Sequence, residues 1–486
     1  MTNRTVFKFV FILLSVLTLF SIWVPKYLPM IDLPQHAAQV DIWKNLNNTN
    51  YHYANIFFVN WYTPYISTFI LSLFFHEFFG IQEALKITIT LSLLGLPFSL
   101  LFLLKETNSD SWLAVAGFPV SFSFGFYWGF LSYILAVPLG VIFVALGLGY
   151  FRRPRFLNGL IVSMLGVLLF FTHALVFGIC GIILGIIGIK YIKSVKILVI
   201  NIAPYIIPII VLSGWYFYGS HPSFESITLW GKPLPHRLNE LSHTLLSNTS
   251  RRSSFLFGIG LFISPLMCMD FSKIRIRQII PFIVVLLSFL FGPDYTFGIA
   301  IVYERLPLMI YVYFLCLFPI SVISWRLNIG RIAITMLSTI WLIYVVINNL
   351  AFDKEARSFD KILAIMEPHK RVLSLVYDEA SLLYPESYKH FAAWYQAIKG
   401  GEIGNSFAIA FKSPIQYKQN VHPDVLISED PRTGEWVKRS LFDYYLVREK
   451  ESDKSFENQM NKPEMTLLTQ SEEWKLFQHD FKSKSL

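Results

Sequence analysis

"PMIDLPQHAAQVDIW", residues 29–43, follows the first long apolar run of the chain, which ends near Val24. Asp32, His36 and Asp41 lie within this stretch, although only 15% of the chain is charged. Ionisable side chains are costly at membrane depth, so they usually mark a function or a pairing partner. The stretch is therefore the first place to look for a functional site.

The backbone around Asp32 is predicted from the proline that follows it. Pro34 restricts Leu33 to an extended conformation, and an amphipathic helix is predicted over about residues 35–46, with His36 in its first turn. This geometry holds Asp32 at the membrane surface. Aspartate also commonly caps helix N-termini, so a structural cap and a functional carboxylate are both open at this point.

The composition is that of a membrane protein. Apolar residues make up 54% of the 486 residues, and the mean hydropathy is +0.51, whereas about a quarter of the residues in a soluble chain are charged. Repeated apolar runs near the ~20 residues needed to cross a bilayer predict an all-α polytopic bundle. The net charge of +9 (41 basic minus 32 acidic residues) lies largely in short loops, where it sets membrane orientation. We therefore expect membrane lipids as partners, and no nucleic acid.

About eleven transmembrane helices are predicted from the apolar runs. They are 7–24, 84–104, 112–126, 130–150, 157–172, 174–190, 195–217, 254–270, 278–292, 306–325 and 331–352. The basic loops between them are assigned to the cytoplasm, which puts the N-terminus inside and the end of the chain outside. A further apolar stretch, 63–80, would then have both ends outside, so it is predicted to lie on or dip into the outer interface. Twelve spans is the alternative.

The composition changes abruptly after Phe352. Residues 1–352 form the predicted transmembrane domain, with outer loops 25–83, 218–253 and 293–305, and residues 353–486 form a small soluble extracytoplasmic α/β domain. β-branched and aromatic content predicts strands, and a run closed by glycine predicts a helix. The strands are 371–377, 444–450 and 464–470, the helix is 387–401, and a further amphipathic helix is predicted over about 234–248.

A second polar group occurs in the outer loop 293–305. Arg305 is predicted at the start of a span, with Asp294, Tyr295 and Glu304 before it. Arginine binds phosphate through a planar fork of donors and stays charged. It also commonly extends toward lipid headgroups or pairs with a neighbouring carboxylate at span ends. Both interpretations apply to Arg305.

His173 lies between two short predicted spans, at an outer turn. A lone histidine in a bundle is more often a hydrogen-bonded structural residue than a catalyst. Its position nevertheless predicts that it lines the outer cavity. The other predicted cavity-lining residues are Asp41, Asp294, Tyr295 and Glu304.

The segment "DLPQH" (32–36), which has an aspartate shortly after the first span, resembles the first outer loop of the GT-C superfamily of integral-membrane glycosyltransferases. This superfamily includes the protein O-mannosyltransferases and the aminoarabinose transferases. "TPYISTFILSLFFHEFFG" (63–80) resembles the juxtamembrane helix of that family. The resemblance implies that Asp32 is the base that activates the acceptor, with His36 as a second catalytic candidate. It also implies a polyprenyl-phosphate sugar donor, whose phosphate Arg305 would bind.

One departure from the family concerns a metal. Many members carry a second acidic residue in the next outer loop, but "FGFYWGFLS" (124–132) contains none. Asp41, Asp294 and Glu304 are the candidate substitutes for it. A divalent ion needs several converging oxygen or nitrogen ligands, and no spacing reveals them. No cofactor is therefore predicted with certainty, and the requirement for a divalent metal stays open.

The resemblance implies an inverting glycosyltransferase at the outer face of a bacterial inner membrane, acting on a glycan, lipid or protein acceptor. A transporter or flippase for lipid-linked sugars is the first alternative, although such proteins often show internal repeats and charges near the midplane. An O-antigen polymerase or ligase is the second. The sequence contains no nucleotide-binding, serine-hydrolase or zinc-protease motif, which argues against those chemistries.

Overall fold

The computed structural model describes residues 3–218, 228–247, 251–273, 275–296, 300–410, 412–418, 442–450, 456 and 465–479. The chain divides into two compact units. The first, here called the helical unit, comprises Met1–Ile22, Pro64–Thr68 and Thr88–Ile347. The second, here called the mixed unit, comprises Trp23–Thr63, Phe69–Ile87 and Asn348–Leu486. The segment that carries Asp32 thus belongs to the same unit as the C-terminal part of the chain.

Helices dominate the chain up to residue 356. They are Asn3–Trp23, Leu33–Lys44, Tyr53–Ile56, Ile66–His76, Ile81–Thr107, Gly117–Ser121, Phe124–Trp128, Leu131–Arg152, Phe156–Thr172, Ala174–Ile189, Val195–Tyr218, Leu234–Leu245, Arg251–Leu266, Ile276–Phe291, Leu306–Phe314 and Ser324–Ala356. Short 3₁₀ helices occur at Ser111–Ala116 and Tyr303–Arg305. The mostly helical architecture confirms the predicted fold class at this level.

Among the described residues, five helical stretches are long and apolar enough to cross a membrane. They are Asn3–Trp23, Ile81–Thr107, Leu131–Arg152, Val195–Tyr218 and Ser324–Ile365. Shorter apolar helices include Ile66–His76, Phe156–Thr172, Ala174–Ile189, Arg252–Leu266 and Ile276–Phe291. The count of eleven spans is therefore not reproduced helix by helix.

Two predicted spans differ most from the observed backbone. Residues 112–126 form a 3₁₀ helix followed by short helical pieces, and Pro119 in this segment lacks the amide hydrogen that a continuous helix requires. The helix predicted over 306–325 ends at Phe314, and Pro319 lies beyond it. Apolar composition alone did not show these interruptions.

The centre of the helical unit is packed closely because small residues face neighbouring helices. Helix Leu131–Arg152 is largely buried, and a Cβ added at Gly140 would lie 2.9 Å from the Cys180 sulfur. At Gly147 the same addition would meet Leu184 at 2.7 Å. Glycines at such positions let helix backbones approach one another, as is common in membrane bundles.

The mixed unit contains a five-stranded sheet in the order Glu402–Ile403, Arg371–Val376, Tyr444–Arg448, Trp474–His479 and Met465–Ser471. The first three strands are parallel, and the last two join antiparallel. Helices Ser358–Ile365 and Ala393–Lys399 belong to the same unit. The three predicted strands are present. The helix predicted over 387–401 is shorter than expected: it begins only at Ala393, after a run of turns, and it closes at Gly400, whose φ is +70°. The short strand Glu402–Ile403 and the strand Trp474–His479 were not predicted.

Residues 42–59 and the C-terminal part of the chain share a second, smaller core. Strand Phe57–Val59 pairs antiparallel with strand Ile415–Tyr417. Around this pair lies a buried cluster of Ile42, Tyr53, Phe57, Ala408 and Ile415. Helix Leu33–Lys44 also packs against helix Ala393–Lys399. The helix that follows Asp32 is thus fixed by residues far away in sequence.

Candidate active site

Asp32 occupies the N-cap position of helix Leu33–Lys44, with Pro34 in the first turn. The prediction of an extended Leu33 is therefore wrong, because a proline in the first turn of a helix is tolerated. The side chain of Asp32 accepts no capping hydrogen bond from the helix, although aspartate at this position usually does so. Asp32 is also only 7% exposed. The carboxylate is thus buried in a place where helix capping does not account for it.

A histidine from the C-terminal part of the chain lies beside this carboxylate. Nε2 of His390 is 3.7 Å from Oδ1 of Asp32. Burial lowers the pKa of the His390 imidazole to about 3, and electrostatic interactions with Lys389 and His36 lower it further. His390 is therefore neutral at physiological pH, so the contact joins a carboxylate to an uncharged imidazole.

His36 lies one helical turn after Asp32, and its amide donates to the Asp32 carbonyl at 3.1 Å. Its ring packs edge-on against Phe69 and Phe407, with centroid distances of 5.4 and 6.2 Å. Phe407 also contacts the His390 ring at 5.0 Å. The two predicted catalytic residues are thus one helical turn apart, and aromatic rings surround the His36 imidazole.

Gln35 attaches the Phe407 segment to the same helix. Its side-chain carbonyl accepts from the Phe407 amide at 3.0 Å, and its amide group donates to the Asn405 carbonyl. One turn further along, Gln39 donates to the Ser413 hydroxyl. All of these groups belong to the mixed unit. C-terminal residues thus build part of the surroundings of Asp32, which we call the acid site (Asp32, His36, His390 and Phe407).

Asp41 does not join the acid site. Nine residues of helix separate it from Asp32, which corresponds to about 13 Å along the axis and to the opposite face. Its Oδ1 accepts from the Asn45 amide at 2.9 Å and lies 3.8 Å from His76 Nε2. Burial raises the pKa of the Asp41 carboxyl, although His76 and Lys44 oppose the rise.

Arg305 and His173 are brought together in the helical unit. Nη1 of Arg305 lies 3.3 Å from Nε2 of His173, and Nε and Nη2 donate to the carbonyls of Ile301 and Ala300 at 3.0 and 3.1 Å. The guanidinium also lies 3.7 Å from the ring centroid of Phe130. The side chain is held in one orientation by these neutral groups.

The chemistry of this contact determines the histidine tautomer. A guanidinium carries only donors, so His173 Nε2 must accept and the ring proton lies on Nδ1. The His173 ring is buried between Tyr65 and Tyr133, at centroid distances of 5.3 and 5.5 Å. The Tyr133 hydroxyl donates to the Arg305 carbonyl. We call Arg305, His173, Tyr65, Tyr133 and Phe130 the cation site.

Asp294 connects its own loop to the segment 232–237 of the helical unit. Its carboxylate accepts from the amide of Lys232 at 2.7 Å and pairs with Arg237 at 2.7 Å. Tyr295 forms a backbone bridge with Leu229. These contacts give Asp294 and Tyr295 a structural explanation in addition to the predicted cavity-lining role.

Glu304 is partly buried, directly before Arg305. Burial raises the pKa of its carboxyl, and Glu240 and Asp294 raise it further. Its Oε2 has no hydrogen-bond partner among the described residues. The neighbouring Tyr303 hydroxyl donates to Glu240 at 3.0 Å.

No group of three or more histidine, cysteine, aspartate or glutamate side chains within the described ranges could hold a metal ion. Asp41, Asp294 and Glu304, the candidate substitutes for a second acid, each lie in a different set of contacts. A residue set that fits a divalent ion is thus not found in this part of the chain.

Two residues of these sites were missed in the sequence. His390 lies in a segment predicted only as a helix, and Arg237 lies in the predicted amphipathic helix near 234–248. Arg237 is 2% exposed, and its guanidinium donates to the carbonyls of Phe289 and Gly292. Only their positions in the fold reveal either role, because a single His or Arg in a polar segment carries no pattern.

No protein-family model and no curated protein matches the sequence. Among solved structures, ArnT from Cupriavidus metallidurans bound to undecaprenyl phosphate is similar over 98% of both chains, with a TM-score of 0.60 and 9% identity. The apo state of the same protein gives a TM-score of 0.54 and 10% identity, again over 98% of both chains. The arabinofuranosyltransferase AftD from Mycobacteria gives a TM-score of 0.51 and 11% identity, over 98% of this chain and 40% of AftD. The chain therefore has the fold of ArnT and AftD, both GT-C glycosyltransferases, and the resemblance inferred from the sequence is confirmed at the level of the fold.

Proposed function

We propose that the chain is an inverting glycosyltransferase that moves a sugar from a polyprenyl-phosphate donor to an acceptor at the outer face of a bacterial inner membrane. The observation that carries the proposal is the buried Asp32 carboxylate, which does not cap its own helix. It occurs in a fold that is also found in ArnT, a protein solved with undecaprenyl phosphate.

Asp32 is the proposed general base. As the acceptor hydroxyl or amine attacks the anomeric carbon, its proton passes to the Asp32 carboxylate, and the bond from that carbon to the phosphate oxygen breaks. A positioned base of this kind contributes about 10²- to 10⁴-fold to the rate. His36 contributes a second polar group on the same helix face, and neutral His390 orients the carboxylate from the other side.

Arg305 is the proposed ligand of the donor phosphate. The departing polyprenyl phosphate gains negative charge as the sugar bond breaks, and a fixed guanidinium stabilises that charge without reorganising. The carbonyls of Ala300 and Ile301 and the imidazole of His173 hold the guanidinium in place. His173, Asp294, Tyr295 and Glu304 remain proposed cavity-lining residues of the helical unit, and Asp41 remains one of the mixed unit.

The proposed orientation follows from the basic loops. The N-terminus lies in the cytoplasm, residues 63–80 lie at the outer interface, and the C-terminal region lies outside the cytoplasm, where it contributes to acceptor binding. The acceptor class is a glycan, a lipid or a protein. A polyprenyl tail would lie among the apolar helices, within the membrane.

The test is transfer of radiolabelled sugar from a polyprenyl-phosphate donor by purified protein, with the released polyprenyl phosphate quantified in parallel. Asp32→Asn should lose at least a hundredfold in transfer rate. Asp360→Asn is the matched control, because Asp360 also lies in the mixed unit but contacts Lys26 and Tyr27 instead. Equal rates for a folded Asp32→Asn protein and wild type would remove Asp32 from the mechanism. Movement of the donor across vesicles without release of polyprenyl phosphate would indicate a transporter instead.

A further inference from the structure

A cavity of about 790 Å³ lies in the helical unit, beside the first turns of helix Asn3–Trp23. Phe7, Phe11, Phe98 and Leu101 contribute to its apolar wall. Edge-on contacts fix the aromatic rings, with Phe11 at 5.1 Å from Phe98 and Phe7 at 5.3 Å from Trp112. The cavity is separate from the residues of the acid and cation sites, and the proposed reaction does not use it.

Four basic side chains line the same cavity: Arg4, Lys8, Lys105 and Arg331. Arg331 is neutralised by Asp110, to which it donates at 2.8 and 3.1 Å. Arg4, Lys8 and Lys105 are exposed, and no ion pair links them to any residue in the described part of the chain. The cavity therefore combines uncompensated positive charge with a largely apolar wall.

The dimensions of the groove match one acyl chain in one leaflet. Wall residues continue along the helix from Phe7 to Val16, which corresponds to about 13 Å of helix. Half of the hydrocarbon core of a bilayer is about 15 Å thick. The charged residues lie at one end of this wall, where Arg4 and Lys8 begin the helix and Lys105 lies in the last turn of helix Ile81–Thr107.

We propose that this groove binds an anionic phospholipid, with the phosphate held by Arg4, Lys8 and Lys105 and an acyl chain lying along Phe11, Ile12 and Val16. Charge complementarity selects the headgroup, since basic residues next to a membrane attract anionic lipids. The arginine fork adds bidentate phosphate contacts. The apolar wall, rather than the charges alone, then determines where the lipid lies.

The experiment is native mass spectrometry of the purified full chain, titrated with phosphatidylglycerol or with phosphatidylethanolamine of the same acyl chains. Wild type should retain phosphatidylglycerol preferentially. The triple variant Arg4→Gln, Lys8→Gln, Lys105→Gln should bind it roughly tenfold more weakly or worse. The control variant Lys190→Gln, Lys193→Gln, Lys196→Gln removes three exposed cations from another loop and should bind as wild type does.

A second variant tests the groove itself. Ile12→Trp with Val16→Trp keeps every cation and fills the apolar wall at two exposed positions, so it should also lose phosphatidylglycerol. Unchanged retention by either the triple variant or the tryptophan variant, or an equal loss in the Lys190 control, would overturn the proposal. In that outcome the basic residues serve only to orient the helices in the membrane.

Discussion

Nε2 of His390 lies 3.7 Å from Oδ1 of Asp32, so a residue of the C-terminal region faces the carboxylate that precedes helix Leu33–Lys44. Both side chains are largely buried, and both pack near Phe407 or the helix turn that carries His36. The acid site is therefore a product of tertiary folding, and the properties of His390 can be tested separately from those of Asp32.

His390 should make the protein less stable at acid pH. Its pKa of about 3 in the folded state lies below the ordinary value near 6.5, so the unfolded chain binds more protons between these values. The contribution of neutral His390 to the free energy of unfolding is thus fully present above pH ~6.5. It is lost as the pH falls toward 3, by on the order of 3–5 kcal/mol in total. Asp32, His36 and Lys389 are the charged or titratable groups that face it.

The measurement is the Tm of the detergent-solubilised protein at pH 7 and pH 4.5. His390→Gln cannot be protonated, so its Tm should fall less than that of wild type over this interval. Parallel declines in the two proteins would contradict the buried neutral imidazole.

His390 should also affect transfer through Asp32. We expect His390→Phe, which keeps an aromatic ring but loses both nitrogens, to lower kcat several-fold with little change in donor KM. His390→Gln should recover part of the rate, because a polar group again faces the carboxylate. A change confined to donor KM would place His390 in donor binding instead.

Arg305→Gln should weaken use of the donor. Hydrogen bonds to charged groups contribute about 1.5–3 kcal/mol, which corresponds to a roughly ten- to hundredfold rise in donor KM or fall in kcat/KM. Arg305→Lys should be intermediate, since an ammonium keeps the charge but lacks the planar fork. Donor kinetics that match wild type in Arg305→Gln would refute the phosphate assignment.

His173→Phe should have a smaller effect in the same assay. It removes the imidazole nitrogen that accepts from Arg305 and leaves the carbonyl contacts intact. The expected loss is about two- to tenfold in donor kcat/KM, less than the full value of a hydrogen bond to a charged group, because the carbonyl contacts still hold the guanidinium. A double variant, Arg305→Gln with His173→Phe, should be no worse than Arg305→Gln alone.

Arg237 should matter for stability rather than for the donor. It is almost fully buried, pairs with Asp294 and stacks 4.4 Å from the Tyr303 ring centroid. Arg237→Gln leaves the Asp294 carboxylate without its cation, and breaking such a buried pair costs about 3–5 kcal/mol. We expect a marked fall in Tm, in contrast to a small one for Arg305→Gln, when the two variants are compared by thermal unfolding.

Asp41→Asn should change the dependence of stability on pH. Because burial raises the pKa of the Asp41 carboxyl, the folded state binds the extra proton, and the associated stability is lost as the pH rises through the raised pKa. Asp41→Asn has no carboxyl group to titrate at this position, so it does not show this decrease in stability. The Tm of Asp41→Asn relative to wild type should therefore increase between pH 4 and pH 8, and a constant difference would contradict the raised pKa.

Local patterns in the sequence were sufficient for most of the secondary structure. Apolar runs and glycine-closed segments depend only on residues that are close together in the sequence. The long helices and the strand Arg371–Val376 could therefore be predicted. The interruption near Pro119 and the early end of the helix at Phe314 could not, because apolar residues continue through both. A span count from composition alone therefore exceeds the number of long helices.

The candidate site could be predicted only in part. Asp32 and Arg305 attract attention because a charge at the end of an apolar run is unusual. The partners of these residues depend on contacts between distant segments, such as Gln35 with Asn405 or Arg305 with His173. No spacing in the sequence encodes those contacts.

The pairing of Phe57–Val59 with Ile415–Tyr417 has a consequence for how the protein can be divided. A fragment that starts at the change of composition after Phe352 would lack the strand and the buried aromatic residues against which its own strand folds. Expressed alone, it should be aggregation-prone, and the complementary fragment should expose the same surface. Residues 23–87 and the C-terminal region would then have to be produced together, in a single polypeptide or by co-expression, for either to fold.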